Sequence, residues 1–257
     1  MRTLVPPVLL LLAAMPPAQE PSPPPLPSAE TLQQEFDLAL RAWADANNKA
    51  RADNDTKEQE RLRGQRPEAA FAERFANAAA TLAGREQAVP YLVWVVQRGP
   101  DAMAKAAMTT LMDVHTASPG VRLAVARIGG LKQSFGAEQC LTWLDRVLAK
   151  NSDPHVLAQA HYTRAAMHVG TRAVTTSDEL RRTALDHLTK SRALLDTLPA
   201  ATARSLLGLV ESLRDEAERF EPGLPAPEIE GKDLDGVPFK LSDYRGKVVL
   251  LDFWGDW

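Results

Sequence analysis

The residues with the clearest chemical potential lie near the end of the chain. Lys247 to Phe253 read KVVLLDF, a nearly continuous apolar run that contains a single carboxylate, Asp252. A run of this kind, bounded by Gly246 and Gly255, predicts a strand that is buried on both faces of a sheet. A charged side chain inside such a strand costs free energy unless its charge is paired or suppressed, so Asp252 is a candidate functional residue.

The segment that leads into this run has a different character from the rest of the chain. At Pro222 the helical periodicity gives way to turn residues and β-formers. Asp235 and Gly236 form a turn signal between two short extended pieces, at 228–230 and 237–241. The sequence therefore predicts a β-hairpin ahead of the apolar strand.

The order of these motifs resembles a known family. APEI, DLDG and LSDYRGKVVLLDFWGDW, all between Pro222 and Trp257, are similar to the opening of the TlpA/ResA branch of the thioredoxin-fold thiol:disulfide oxidoreductases, within the redoxin superfamily. In that branch a Trp-x-x-Trp stretch, matched here by Trp254 and Trp257, leads directly into Cys-x-x-Cys. Peroxiredoxins share the early motifs, and the tryptophan pair favours the disulfide-exchange branch.

The resemblance implies roles for three residues. Asp252 would accept a proton when the second cysteine reacts, and Trp254 and Trp257 would flank the site and exclude water. Trp254 is equally well explained as an ordinary core aromatic residue, and Asp256 as a solvent-facing one. In the complete fold, the free N–H groups and the dipole of a helix N-terminus would stabilise the attacking thiolate.

The two cysteines of that motif are not among the 257 residues. The attacking residue would follow Trp257 directly, so we expect the chain as given to be inactive in dithiol exchange. An incomplete gene or a frameshift would explain this, and so would a UGA codon for selenocysteine that is read as a stop. Without neighbouring strands, the segment 222–257 is expected to expose apolar surface.

The chain contains a single cysteine, Cys140, so no disulfide can close within it. Cys140, Leu144, Val147 and Leu148 recur at helical spacing, which predicts that Cys140 lies on a buried apolar face as a small hydrophobic residue. The alternative is a reactive or cross-linking thiol.

Three of the five histidines are close in sequence, which raises the question of a metal site. His155, His161 and His168 are separated by steps of six and seven residues, which do not place all three on one helical face. No carboxylate completes a known zinc motif with them. The sequence therefore predicts neither a metal site nor a cofactor.

The region from Ser28 to Phe220 is rich in Ala, Leu, Arg and Glu, and helix breakers interrupt it at nearly even intervals. The breakers are Pro67, Gly84, Pro100, Pro119, Gly136 and Pro154. Two such intervals make about 35 residues, the period of stacked helical hairpins. We predict a mainly α protein, with an α-solenoid-like domain of helical hairpins over 28–220. It is followed, over 222–257, by the incomplete N-terminal β part of a thioredoxin-like α/β domain.

Local signals inside this region agree with helices. Ser118 and Asp153 each precede a proline, which predicts capping side chains at helix starts. Leucine and alanine at helical spacing from Leu180 to Leu198 predict one long late helix. Such an array presents a groove for a protein partner or merely supports the neighbouring domain.

The amino terminus predicts export. Arg2 and the apolar stretch Leu4–Ala14 are typical of a signal peptide, which we place at 1–18, and the proline-rich residues 19–27 predict an extended spacer. We expect a periplasmic or cell-envelope protein, tethered to the membrane if the signal stays uncleaved. A net charge of -3 without a basic block predicts no nucleic-acid partner.

These observations together predict a thiol:disulfide oxidoreductase of exported proteins. Its partners would be protein thiols and disulfides and an unidentified redox partner. One alternative is a helical protein-interaction module with a vestigial thioredoxin-like tail. A second is a peroxidase of the peroxiredoxin type.

Overall fold

The computed structural model describes residues 26–169, 177–220, 224–252 and 254. In this part the chain is mainly helical, as predicted. The α-helices are α1 (Ala29–Ala52), α2 (Thr56–Arg63), α3 (Glu68–Thr81), α4 (Val89–Arg98), α5 (Asp101–Val114), α6 (Arg122–Arg127), α7 (Lys132–Phe135), α8 (Ala137–Lys150), α9 (Pro154–Ala166), α10 (Asp178–Leu195) and α11 (Ala200–Asp215). The predicted signal peptide, 1–18, and residues 19–25 of the predicted spacer lie outside the described residues.

Short irregular helices and one small sheet complete these elements. The 3₁₀ helices are Glu86–Ala88, Pro119–Val121, Ile128–Leu131 and Leu241–Tyr244, and a π turn, Glu216–Phe220, follows α11. The sheet has two strands, β1 (Glu230–Lys232) and β2 (Pro238–Lys240), which pair antiparallel. No helix of the described part is both long and apolar enough to cross a bilayer.

The helix boundaries follow from local chemistry. Every breaker used in the sequence analysis lies at or between element ends, and Gly84 and Gly136 adopt φ of 73° and 82°, which residues with a side chain rarely adopt. Ser118 Oγ accepts a hydrogen bond from the Gly120 amide, and Asp153 Oδ1 accepts from the two amides at the start of α9. The predicted caps are therefore confirmed.

The late helix is confirmed as α10, although it ends three residues earlier than the predicted Leu198. Ala184, Leu188 and Leu195 on its inner face are buried, whereas Leu180 in its first turn is 42% exposed. Leu198 still packs against the core from the loop that follows. The predicted apolar spacing therefore located the buried face correctly and overestimated the length of the helix.

An aromatic cluster joins the first helices of the chain. The ring of Trp94 on α4 stacks on Phe75 of α3 at 4.1 Å and meets Phe36 of α1 edge-on at 5.1 Å. Its indole N–H donates to Gln33 Oε1 at 2.7 Å. This bond gives the polar atom of the buried indole a hydrogen-bond partner.

The core of the helical region has two parts, and α9 contributes to both. The larger cluster extends from α1 to α9 and includes Val156 and Ala160. The smaller cluster unites α10 and α11 with Ala158 and Ala165 of α9. Opposite faces of α9 thus carry α10 and α11 on one side and the rest of the array on the other.

Candidate functional site

The segment after the helices folds first into a short hairpin, as predicted. In its register Glu230 lies opposite Lys240 and Gly231 opposite Phe239. Lys240 Nζ donates to Glu230 Oε1 at 2.5 Å, an exposed ion pair that contributes little to stability. The Phe239 ring crosses directly over Gly231, where a Cβ would lie 3.1 Å from two ring carbons. Glycine at 231 therefore permits the ring to cover this strand.

The sequence Asp-Leu-Asp-Gly determines the turn between the strands. The carboxylate of Asp233 accepts hydrogen bonds from the amides of Asp235 and Val237, at 3.0 and 2.8 Å. Gly236 adopts φ of 80°, a conformation that favours glycine. The turn is thus fixed by residues within five positions of one another, which explains why the sequence predicted it.

A second set of contacts ties the chain that enters the hairpin to the 3₁₀ helix that leaves it. The Ile229 carbonyl accepts from the Leu241 amide at 2.9 Å, and the Glu228 carboxylate accepts from the Ser242 amide at 2.9 Å. Hydrogen bonding from Ser242 lowers the pKa of Glu228. The Asp243 carboxylate accepts from the Lys240 amide at 2.9 Å. These bonds close a compact unit over 228–243.

The strand predicted at Lys247–Phe253 is not formed in the described part of this segment. Residues 248–252 have no regular hydrogen-bonded structure, and Val248 and Leu250 are 103% and 92% exposed. The physical reason is that an interior strand requires neighbours on both sides, and the described sheet consists of β1 and β2 paired with each other. The expectation that this segment exposes apolar surface is confirmed.

Within the part of the chain that it describes, the structure therefore does not bring the predicted site residues together. Asp252 is exposed, and Trp254 is 84% exposed. Trp257 lies outside the described residues, as do Phe253 and Asp256. The roles assigned to Asp252, Trp254 and Trp257 stay predictions.

Cys140 lies in the larger core cluster on α8 and is fully buried, as predicted. Burial raises the pKa of its thiol, which Lys132 opposes only in part. A protonated thiol without solvent access is a poor nucleophile. The structure thus favours the packing role over the reactive one.

The histidines give a contact that the sequence analysis missed. His161 of α9 meets His187 of α10, 26 residues later, with 2.7 Å between the two Nδ1 atoms. No helical spacing within a single segment could reveal this pair, because the two side chains meet across a helix packing interface. In the described residues, no group of three or more His, Cys, Asp or Glu side chains could hold a metal ion.

Comparison with known proteins finds short similarities to thiol-disulfide oxidoreductases named ResA. One, from Bacillus cereus (strain ATCC 10987 / NRS 248), is 39% identical over 49 residues, which cover 19% of this chain and 28% of the relative. One from Bacillus thuringiensis subsp. konkukian (strain 97-27) is 45% identical over 40 residues, 16% of this chain and 23% of the relative. One from Geobacillus kaustophilus (strain HTA426) is 54% identical over 35 residues, 14% of this chain and 20% of the relative.

The chain thus spans at most 28% of the length of these relatives. No family model matches the chain. No solved structure matches it. Over these short stretches, the chain is similar to the ResA thiol-disulfide oxidoreductases, which suggests a thioredoxin-like redoxin family.

Proposed function

We propose that this chain is part of a thiol:disulfide oxidoreductase that acts on exported proteins. The observation that carries the proposal is the similarity of 39 to 54% to ResA proteins over 35 to 49 residues. We assign this similarity to the segment 222–257, because that segment is about as long as the similar stretches and holds the motifs that resemble the family. The helical domain at 28–220 would position this segment or a protein partner.

The exposed apolar residues support this assignment. Val248 and Leu250 are almost fully exposed, whereas Val249 and Leu251 are 42% and 48% exposed. Side chains of an extended chain alternate between two faces, so both faces of 248–251 are apolar. A segment of this kind is suited to a central strand with neighbours on each side, the place that the proposed thioredoxin-like domain gives it.

The chemistry would need two redox residues that the 257 residues do not provide. In the proposed reaction, a thiolate attacks a substrate disulfide, and a mixed disulfide forms as one substrate thiolate leaves. The second thiol then gives its proton to the Asp252 carboxylate and attacks the mixed disulfide. The second substrate sulfur leaves as a thiolate and takes the proton from Asp252, the first takes a proton from solvent, and the enzyme holds the new disulfide. Trp254 and Trp257 would border this site and keep water from it.

The test uses the protein encoded by the reading frame continued past Trp257. We expect it to reduce insulin disulfides with dithiothreitol as the electron source. Asp252→Asn should lower the rate by about 10²-fold near neutral pH and shift the pH profile, because the carboxamide cannot accept the proton. Asp256→Asn is the matched control and should retain the activity. No reduction by the continued protein would refute the proposal.

The codon after Trp257 tests the selenocysteine explanation against an incomplete gene or a frameshift. A UGA followed by two codons, a cysteine codon and further thioredoxin-like sequence supports selenocysteine as the attacking residue. A selenol is ionised at neutral pH and is a better nucleophile than a thiol. A cysteine codon at this position eliminates the selenocysteine proposal and leaves the oxidoreductase proposal intact.

One observation favours the second candidate function, a protein-interaction module. An apolar groove of about 410 Å³ lies between α3 and α5, over α4. Half of its lining residues are alanines, and Leu92, Val95, Met103 and Val114 provide larger apolar side chains. If the continued protein reduces no disulfides and consumes no peroxide, this module becomes the better proposal. Peroxide consumption without insulin reduction would instead favour the peroxiredoxin-type peroxidase.

Export is proposed from the sequence of the amino terminus. The apolar stretch Leu4–Ala14 and the proline-rich residues that follow support a periplasmic or cell-envelope location. Cell fractionation of an epitope-tagged protein tests this. Recovery only with the cytosolic fraction would refute it, and recovery with membranes would support an uncleaved anchor.

A further inference from the structure

The contact between His161 and His187 requires a hydrogen between their two Nδ1 atoms. Their Nδ1 atoms are 2.7 Å apart, and the rings are tilted by 38° with centroids 5.0 Å apart. At this distance one nitrogen must donate a hydrogen and the other must accept it. If both imidazoles carry two protons, two N–H groups face each other and the contact becomes repulsive. The pair is therefore stable only while at least one ring is neutral.

The pair lies where the two parts of the helical core join. The helices α9 and α10 form the most extensive helix contact in the described residues. Beside the histidines, this interface is held by apolar packing and by the buried Ser191 hydroxyl, which donates to the Ala158 carbonyl at 2.8 Å. The attachment of α10, and of α11 packed on it, thus depends on an interface with a titratable contact inside it.

Charges around the pair make a further proton unfavourable. The groups that face it or its neighbours are Arg164 of α9, His168 in the turn after α9, Asp186 and Lys190 of α10, Lys132 of α7, Asp145 of α8 and Glu216 of the π turn. Arg164 pairs with Asp145, and Lys190 pairs with Asp186 at 2.6 Å. These ion pairs offset part of the charge of Asp145 and Asp186, and although Asp186 still favours the charged form of both histidines, burial and the cations outweigh it.

Burial and the neighbouring cations both disfavour proton binding, and Asp186 opposes them only in part. Burial, then the neighbouring His187 and Lys190, lower the pKa of His161 to about 4. Burial, then Arg164 and Lys190, lower the pKa of His187. The free side chain titrates near pH 6.5, so the separated helices bind protons more readily than the packed ones. Acid therefore favours separation.

We propose that the His161–His187 contact is an acid-sensitive latch that holds α10 and α11 against α9 at neutral pH and opens more readily as the pH falls below about 6.5. Each proton taken up on opening changes the opening equilibrium tenfold per pH unit. Uptake by one histidine of the pair, which is half protonated at pH 6.5 when the helices are separated, gives an increase of about 15-fold between pH 6.5 and pH 5.0. Release would free the segment after α11 from the rest of the array.

Hydrogen exchange of the 257-residue chain, followed by mass spectrometry, tests the latch. After correction for the intrinsic pH dependence of exchange, we expect opening of α10 and α11 to increase tenfold or more between pH 7.5 and pH 5.0. The peptides of α3 and α4, in the larger cluster, should change less than threefold. Equal opening of all helices would indicate general acid unfolding and would overturn the proposal.

Variants identify the groups responsible. In His161→Asn/His187→Asn, two amides can still hydrogen-bond but do not titrate, so the acid-induced opening should fall below threefold. His155→Asn, on the same helix but beside Arg122, is the matched control and should retain the full response. If the double variant does not fold, Lys190→Met provides the second test. Loss of this exposed cation should ease protonation of the packed pair and reduce the response. If the acid-induced opening of α10 and α11 in either the double variant or Lys190→Met is as large as in the wild type, the latch is refuted.

Discussion

The exposed segment 248–252 allows the strand proposal to be tested by adding charge to it. We consider the double change Val248→Lys/Leu250→Lys, in the 257-residue chain and in the protein continued past Trp257. These two side chains are 103% and 92% exposed. In the shorter chain they have almost no packing to lose, whereas the proposed central strand would bury both.

The expected magnitudes differ enough to be decisive. In the 257-residue chain, the free energy of unfolding of the helical region should change by less than about 0.5 kcal/mol, as for surface substitutions in general. In the continued protein, the loss of two buried aliphatic side chains costs about 1.5 to 3 kcal/mol each, before the cost of burying two ammonium groups is added. A domain has only about 5 to 15 kcal/mol of stability, so the proposed thioredoxin-like part should not fold.

Urea unfolding followed by circular dichroism at 222 nm measures the helical region, and insulin reduction reports on the continued protein. Val147→Lys is the matched control, since Val147 is fully buried on α8 and the same change should destabilise the helices strongly. The charged double variant of the shorter chain should also self-associate less in sedimentation experiments, because an exposed apolar segment promotes association. A loss above about 2 kcal/mol in the 257-residue chain, or full activity of the continued variant, would refute the reasoning.

Three further expectations concern the helical region. Cys140 should react with a thiol reagent about a thousandfold more slowly in the folded chain than in urea, since a buried thiol is reached only on opening; rapid labelling without denaturant would show a reactive cysteine. Asp153→Ala should lower the midpoint of urea unfolding, at a cost of about 1 kcal/mol, because two amides at the start of α9 lose their acceptor, whereas Asp153→Asn should retain most of the stability. Asn151→Leu should cost about 2 to 4 kcal/mol in the same assay, because the carbonyls of Thr116 and Ser118 lose their buried donor; an unchanged midpoint would contradict these contacts.

Features that depend on nearby residues could be predicted from the sequence. The caps at Ser118 and Asp153, and the turn at Asp235-Gly236, are set by hydrogen bonds between positions at most four residues apart. The burial of Cys140 follows from apolar spacing along one helix. In each case the physical cause lies within one or two turns of the chain, where a pattern of residue types is sufficient to reveal it.

Features that depend on distant residues could not be predicted in this way. His161 gains its significance from His187 on another helix, and the histidines close to it in sequence were the wrong ones to compare. Similarly, the indole of Trp94 is satisfied by Gln33, 61 residues earlier. Such contacts depend on how helices pack, which the period of breakers does not specify.

The hairpin and the segment after it show the same distinction within 25 residues. The strands β1 and β2 form because Asp233, Gly236 and Glu228 provide the bonds that hold the turn and its base, all from within the segment. Residues 248–252 have stronger β-forming side chains and yet stay unpaired, because an interior strand obtains its hydrogen bonds and its burial from strands elsewhere in the sequence. The β-propensity of residues 248–251 therefore indicates that the segment can form a strand, and the presence of partner strands decides whether that strand forms. This is why a substitution that is harmless in the shorter chain should be destructive in the continued protein.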